Sequence, residues 1–250
     1  MEDTLLAIGL SVLMTKSEAE LWEALSQSRK VRLEPSWLGE TYSVSLPYEI
    51  RKVLCERLGI LADKGWPIIK QLVNDYGAQP ELIYAAGLCH QSAARKWLLK
   101  QLQKADLEAN LALLKALECW GAEVPCSVIK QSLKSPSQAH RIAGLNLLMF
   151  KAHQLDDETL LQLCEVALVD WRDPVVIAAV RILQRRGSPA ICKRLTNLCY
   201  QSCGLVARTV LLALGYINSP SSRQQLLKLS ETLSDDKLSS EARKQLRQQF

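Results

Sequence analysis

The chain has 250 residues, 48% apolar and 23% charged, an ordinary globular composition that argues against a disordered chain. Its formal net charge of +5, with 26 acidic residues set among 31 basic ones, falls short of a nucleic-acid footprint. Leucine is abundant and only two phenylalanines occur, which suits helix packed on helix.

At the start, Met1-Glu2-Asp3 leads into the apolar run 4–14. Acidic leading charges, no small-x-small cleavage pattern and an apolar run too short to span a bilayer predict a core helix of a soluble, cytoplasmic protein with no membrane partner. A second helix is expected over 17–28, opened by Ser17 with Glu20 three residues on, a capping-box pattern. Residues 29–46 hold Pro35, Trp37, Gly39 and Tyr42 and read as a long connection or extended excursion. Arg29, Lys30 and Arg32 beside Trp37 and Tyr42 form either a basic-aromatic patch or a solvated loop anchored by its rings. Residues 1–46 are therefore expected to be an irregular N-terminal cap, and 47–250 a repeat array.

From Pro47 the punctuation is regular. Helices are expected over 47–63, 67–76, 80–90, 92–103, 106–119, 125–134, 137–151, 157–169, 174–186, 189–200, 204–217, 219–233 and 239–249. Prolines 47, 67, 80, 125, 136, 174 and 189 mark starts, because proline lacks an N–H that the first helical turn would leave unpaired anyway. Glycines 65, 77, 121, 187 and 204 break the segments, and the short loops make consecutive helices antiparallel. Two helix types alternate. Ile142–Met149, Val175–Leu183 and Val206–Leu214 are apolar on most sides and should be covered on several faces. Others are amphipathic, such as Ile191, Leu195 and Leu198 against Lys193 and Arg194, and should form the outer layer.

One sentence of structure occurs twice: Gly187-Ser188-Pro189 and Asn218-Ser219-Pro220 each follow an apolar helix and open another, 31 residues apart. A fixed lag of this size marks stacked helical hairpins. The expected fold is all-α: a right-handed α-α superhelix, a solenoid of about six hairpins. Its last helix is strongly polar, as a terminal repeat must be (Glu241, Arg243, Lys244, Arg247).

Proline-led helices with small residues at their centres (Ala85-Ala86-Gly87, Ala143-Gly144, Ala178-Ala179, Ala207) resemble HEAT-like repeats over residues 47–250. The short period is most similar to the subgroup found in phycobilisome lyases of the E/F type and related phycobilisome-degradation proteins of cyanobacteria. That resemblance implies a protein-binding array, or an activity that attaches or transfers bilin to a phycobiliprotein cysteine.

Signatures of chemistry are sparse. The metal-dependent hydroxylases built from HEAT-like repeats carry His-Glu pairs, whereas the residues after His90, His140 and His153 are Gln91, Arg141 and Gln154. No Gly-x-Ser-x-Gly elbow or phosphate-cradling glycine loop occurs. The eight cysteines (Cys55, Cys89, Cys119, Cys126, Cys164, Cys192, Cys199, Cys203) form no C-x-x-C pair and mostly sit on apolar stripes as buried, reduced thiols. Cys192, Cys199 and Cys203 could share a face, which leaves a metal or thiol-adduct role as a minor alternative. Asp156-Asp157-Glu158 and Asp235-Asp236 fall where carboxylates cap helices.

His140, Arg141, Arg181 and Arg208 interrupt the apolar series and must reach solvent or pair with acids, Arg208 with an acid such as Asp173. In a functional role they would line a concave groove with Tyr84 and Trp120 as stacking surface. The sequence thus points to a non-catalytic protein-binding scaffold with no metal and no cofactor. The alternatives are a bilin lyase-like protein, with Arg141, Arg181 and Arg208 on propionates, and a nucleic-acid binder, which the low net charge disfavours.

Overall fold

The computed structural model describes residues 17–27, 33–104 and 107–249. The helix expected over 4–14 and the basic residues Arg29, Lys30 and Arg32 lie outside them. The regular structure of the described residues is all helical, with two short 3-10 turns and no strand. They fall into two compact units divided between residues 105 and 106.

The first unit contains α1 (Glu18–Gln27), α2 (Pro35–Thr41), α3 (Tyr48–Ile60), α4 (Gly65–Tyr76), α5 (Pro80–Leu88) and α6 (Ser92–Leu102). Ser17 and Glu20 do form the expected capping box: Ser17 N–H donates to Glu20 Oε2 at 2.8 Å and Glu20 N–H to Ser17 Oγ at 3.4 Å. Helices α3 and α5 pack side by side, and α2 and α4 lie against them. The contact is close because small residues meet there. A Cβ added at Gly59 would stand 2.7 Å from Leu88 Cβ and 2.8 Å from the Ala85 carbonyl oxygen. Trp66 of α4 and Trp97 of α6 meet with ring centroids 6.0 Å apart.

The expected excursion over 29–46 is corrected by α2. Pro35 stands in its first turn, and Leu38 is its buried residue. Seven residues holding one glycine are too few to show helical periodicity in sequence. Tyr42 belongs to the core and not to an exposed patch: its hydroxyl donates to Glu81 Oε1 at 2.8 Å, and Arg51 pairs with the same oxygen. Burial, together with the Glu81 carboxylate, raises the Tyr42 phenol well above its ordinary value.

The second unit contains α7 (Leu107–Glu118), α8 (Cys126–Leu133), α9 (Gln138–Lys151), α10 (Asp157–Leu168), α11 (Asp173–Leu183), α12 (Pro189–Gln201), α13 (Gly204–Ile217), α14 (Pro220–Thr232) and α15 (Asp236–Arg247). The helices pair as hairpins α8–α9, α10–α11, α12–α13 and α14–α15, and each helix also packs against helices two places away. The result is two layers, α7-α9-α11-α13-α15 and α8-α10-α12-α14. This is α-α solenoid packing by sequential hairpins. The apolar series read from sequence builds the first layer, where Val175, Ala179, Val180, Leu183, Val206, Ala207, Val210 and Leu214 are buried. The amphipathic series builds the second, with Ile191 and Leu195 buried and Lys193 exposed.

The duplicated Ser-Pro opening is structural. Ser188 Oγ accepts from Ile191 N–H at 3.4 Å, and Ser219 Oγ from Ser222 N–H at 3.1 Å, with a proline in the first turn each time. Asn218 takes the left-handed conformation that ends α13 (φ +47°). Asp156 and Asp235 cap α10 and α15 through backbone N–H groups, so these acid clusters act as caps. The last helix therefore begins at Asp236 and not at Ser239, whose side chain is buried and donates to the Ser230 carbonyl.

Candidate binding surface of the second unit

Between α9 and α11 the first layer leaves two adjoining hollows. One, about 510 Å³, is floored by Ile142, Leu145, Ile177 and Ala178 and edged by Arg181. The other, about 580 Å³, is lined by Phe150, His153, Arg185 and Arg186. Met149 and Ile182 line both, so the hollows join into one groove. The groove exists because small residues at the centre of α11 follow bulky ones on α9: Ala178 leaves the space that Ile142 and Met149 border. On the same layer α13 exposes a stripe at helical spacing, Leu205, Arg208, Leu212 and Tyr216, the last 70% exposed.

The charges here divide into pinned and unpinned. Arg186 is pinned: its Nη2 donates to the Ala152 and Leu155 carbonyls at 2.6 and 2.9 Å, and its Nη1 lies 3.3 Å from Asp157. Asn146 donates to Glu118 Oε1 at 3.2 Å. Arg181, Arg185 and Arg208 are exposed and make no ion pair among the described residues.

At the opening of α11 a buried carboxylate fixes the loop. Asp170 accepts from Arg172 N–H (2.9 Å), Nε (2.8 Å) and Nη2 (2.8 Å), and from Arg141 Nη1 (2.6 Å). Arg172 Nη1 reaches the Pro136 carbonyl at 2.7 Å, tying this hairpin to the preceding one. The Arg172 guanidinium bonds and, behind them, the Arg141 charge hold the Asp170 carboxyl at about 2. The clamp presents Trp171, 86% exposed, with Arg172 5.3 Å from its ring centroid.

Of the six residues singled out by sequence, Tyr84 lies on α5 of the first unit, at the edge of exposure. Trp120 is half-buried in the turn after α7, and His140 is buried at 5% exposure. Arg141 bridges neighbouring hairpins through Asp170. Arg181 and Arg208 share the exposed face of α11 and α13, and no bond links Arg208 to Asp173. Sequence reasoning did not single out Asp170, Trp171 and Arg172, and it read Arg185, with Arg186, Lys193 and Arg194, as a basic cluster on a solvated outer face. The signal was present for the first three: an aspartate two residues before an arginine N–H, ahead of a proline-led helix, is the pattern of an Asx turn.

All eight cysteines are free, with Cys55, Cys89, Cys164, Cys192 and Cys199 buried and Cys203 exposed. Burial pushes the Cys89 and Cys164 thiols to about 12 and the Cys199 thiol to about 11. Cys199 Sγ donates to the Ala207 carbonyl at 3.9 Å. Among the described residues, no group of three or more His, Cys, Asp or Glu side chains is placed to hold a metal. None of their helices is long and apolar enough to cross a membrane.

No family model matches the chain, and no curated protein matches it. Among solved structures the chain is similar to human deoxyhypusine hydroxylase in complex with glycerol, at 16% sequence identity and a TM-score of 0.42, with 99% of this chain and 96% of that chain covered.

Proposed function

We propose that this helical-repeat protein is a non-catalytic scaffold that binds a protein partner on the exposed face of α9, α11 and α13. The observation that carries the reading is the pairing of a preformed apolar groove with exposed, unpaired arginines on one rigid layer. Tyr216, Leu205 and Leu212 extend the apolar surface beside it. Singly exposed apolar residues are ordinary on any protein, but a contiguous apolar face rimmed by like charge suits recognition. Its helices are held from behind by the second layer, so binding would order little backbone.

The test is affinity capture of the full chain from its source cells, beside the double variant Arg181→Glu/Arg208→Glu. Both side chains are exposed, so the variant should keep its circular dichroism spectrum. The expected outcome is one partner held by the wild type and lost by the variant. Equal recovery with both proteins would refute the reading.

A bilin-handling role, with a phycobiliprotein as partner, is the second reading. It draws support from Arg181 standing beside an apolar hollow, where a flat carboxylated pigment could lie. Adding free bilin to the purified chain tests it: a shifted, sharpened visible band would favour this reading, and an unchanged spectrum would eliminate it.

A further inference from the structure

We infer that the groove between α9 and α11 takes an acidic amphipathic helix of a protein partner, an inference that rests on the scaffold reading and names the chemistry of its partner. Three features converge on this occupant. The first is length: α11 has 11 residues, so the groove runs roughly 16 Å at the rise of an α-helix, about three turns of a docked helix. The second is the floor. Ile142, Leu145, Met149, Ile177 and Ile182 offer a continuous apolar strip, and a helix fills such a strip with side chains at i, i+3 or i+4, and i+7. Met149, unbranched and polarizable, lies where the two hollows join and can adjust to the incoming side chain.

The third is charge. Among the described residues, the formally charged ones lining the groove are arginines and no carboxylate lines it. Arg186 is spent on two carbonyls and Asp157. Arg181 and Arg185 are left, four residues apart along one edge and exposed. Arg185 stands in the turn just past the end of α11, so carboxylates along one flank of a docked helix would meet Arg181 and Arg185 near its end, and guanidinium–carboxylate pairing at a half-desolvated rim fixes direction as well as affinity. The groove does not suit a nucleic-acid strand, because its floor is aliphatic and only these two lining arginines are unspent. Successive bases need aromatic platforms, and a backbone needs a longer basic track.

The experiment is selection of a displayed library of 16-residue peptides on the full chain. The peptides carry helix-favouring residues with randomised apolar and charged positions. The expected result is enrichment of sequences with apolar residues at i, i+3 or i+4, and i+7 and with Asp or Glu along one flank. Their affinity should fall at least tenfold on Arg181→Glu/Arg185→Glu and return when the peptide acids are changed to Lys. Enrichment without acidic residues, or equal binding to wild type and variant, would overturn the inference. A missing acidic consensus alongside a native partner still lost by Arg181→Glu/Arg208→Glu would overturn this inference alone. Retention of the native partner by that variant would overturn the scaffold reading beneath it.

Discussion

Replacing Asp170 by asparagine isolates the charge of the clamp from its shape. The folded carboxyl sits at about 2 against an ordinary 3.8. The side chain is fully buried between two guanidinium groups, so the depression corresponds to a stabilisation on the order of 2 kcal/mol. The sign follows from a depressed folded value: the carboxylate stabilises the native state above its unfolded value of 3.8, and the contribution fades as pH falls toward 2. Asp170→Asn should therefore lose on the order of 2 kcal/mol at pH 7 and about half of that at pH 3. Urea titrations at both pH values, read by hydrogen exchange on peptides from 138–183, assign the loss to the second unit. A deficit equal at pH 3 and pH 7, or one below about 0.5 kcal/mol at pH 7, would refute the electrostatic reasoning.

Three further outcomes are expected. In the first unit, Glu81→Ala strands Arg51 and the Tyr42 hydroxyl and should destabilise by about 3–5 kcal/mol, against about 1 kcal/mol for Tyr42→Phe; thermal unfolding that ranks them the other way would contradict the buried pairing. Gly144→Ala places a methyl 2.8 Å from Ser132 Cβ and 3.4 Å from the Leu133 nitrogen, so it should cost about 1–3 kcal/mol between α8 and α9 in chemical denaturation, whereas a neutral change would mean the helices part easily. With an aromatic disulfide reagent at pH 8, Cys203 should react first and Cys55, Cys89, Cys164, Cys192 and Cys199 only on unfolding; fast labelling of the buried five would contradict their placement.

Helix order and layer assignment were legible because two patterns coincide. Proline and serine starts recur at a fixed lag, and apolar-all-round helices alternate with amphipathic ones. A helix covered on several faces can only be the shared layer of stacked hairpins, and α9, α11 and α13 are that layer. Short or atypical pieces were less legible. α2 is too brief for periodicity, and Ser239 imitates a cap while serving as a buried donor. The surface was half legible. A charge inside an apolar helix announces that it must find solvent or a partner, which flagged Arg141, Arg181 and Arg208 together. Which of those outcomes applies depends on the neighbouring turn. Only the packed hairpins reveal that Asp170 takes Arg141 while Arg181 and Arg208 stay open.

The face of α9, α11 and α13 is tested most directly by site-specific photocrosslinking of the full chain in its source cells. A photoreactive residue would replace Ile177 on this face or Lys193 on the exposed side of α12. Crosslinks to one protein from position 177, with none from 193, are the expected result. The same adduct from 193 alone, or none from 177, would contradict the assignment of the recognition surface.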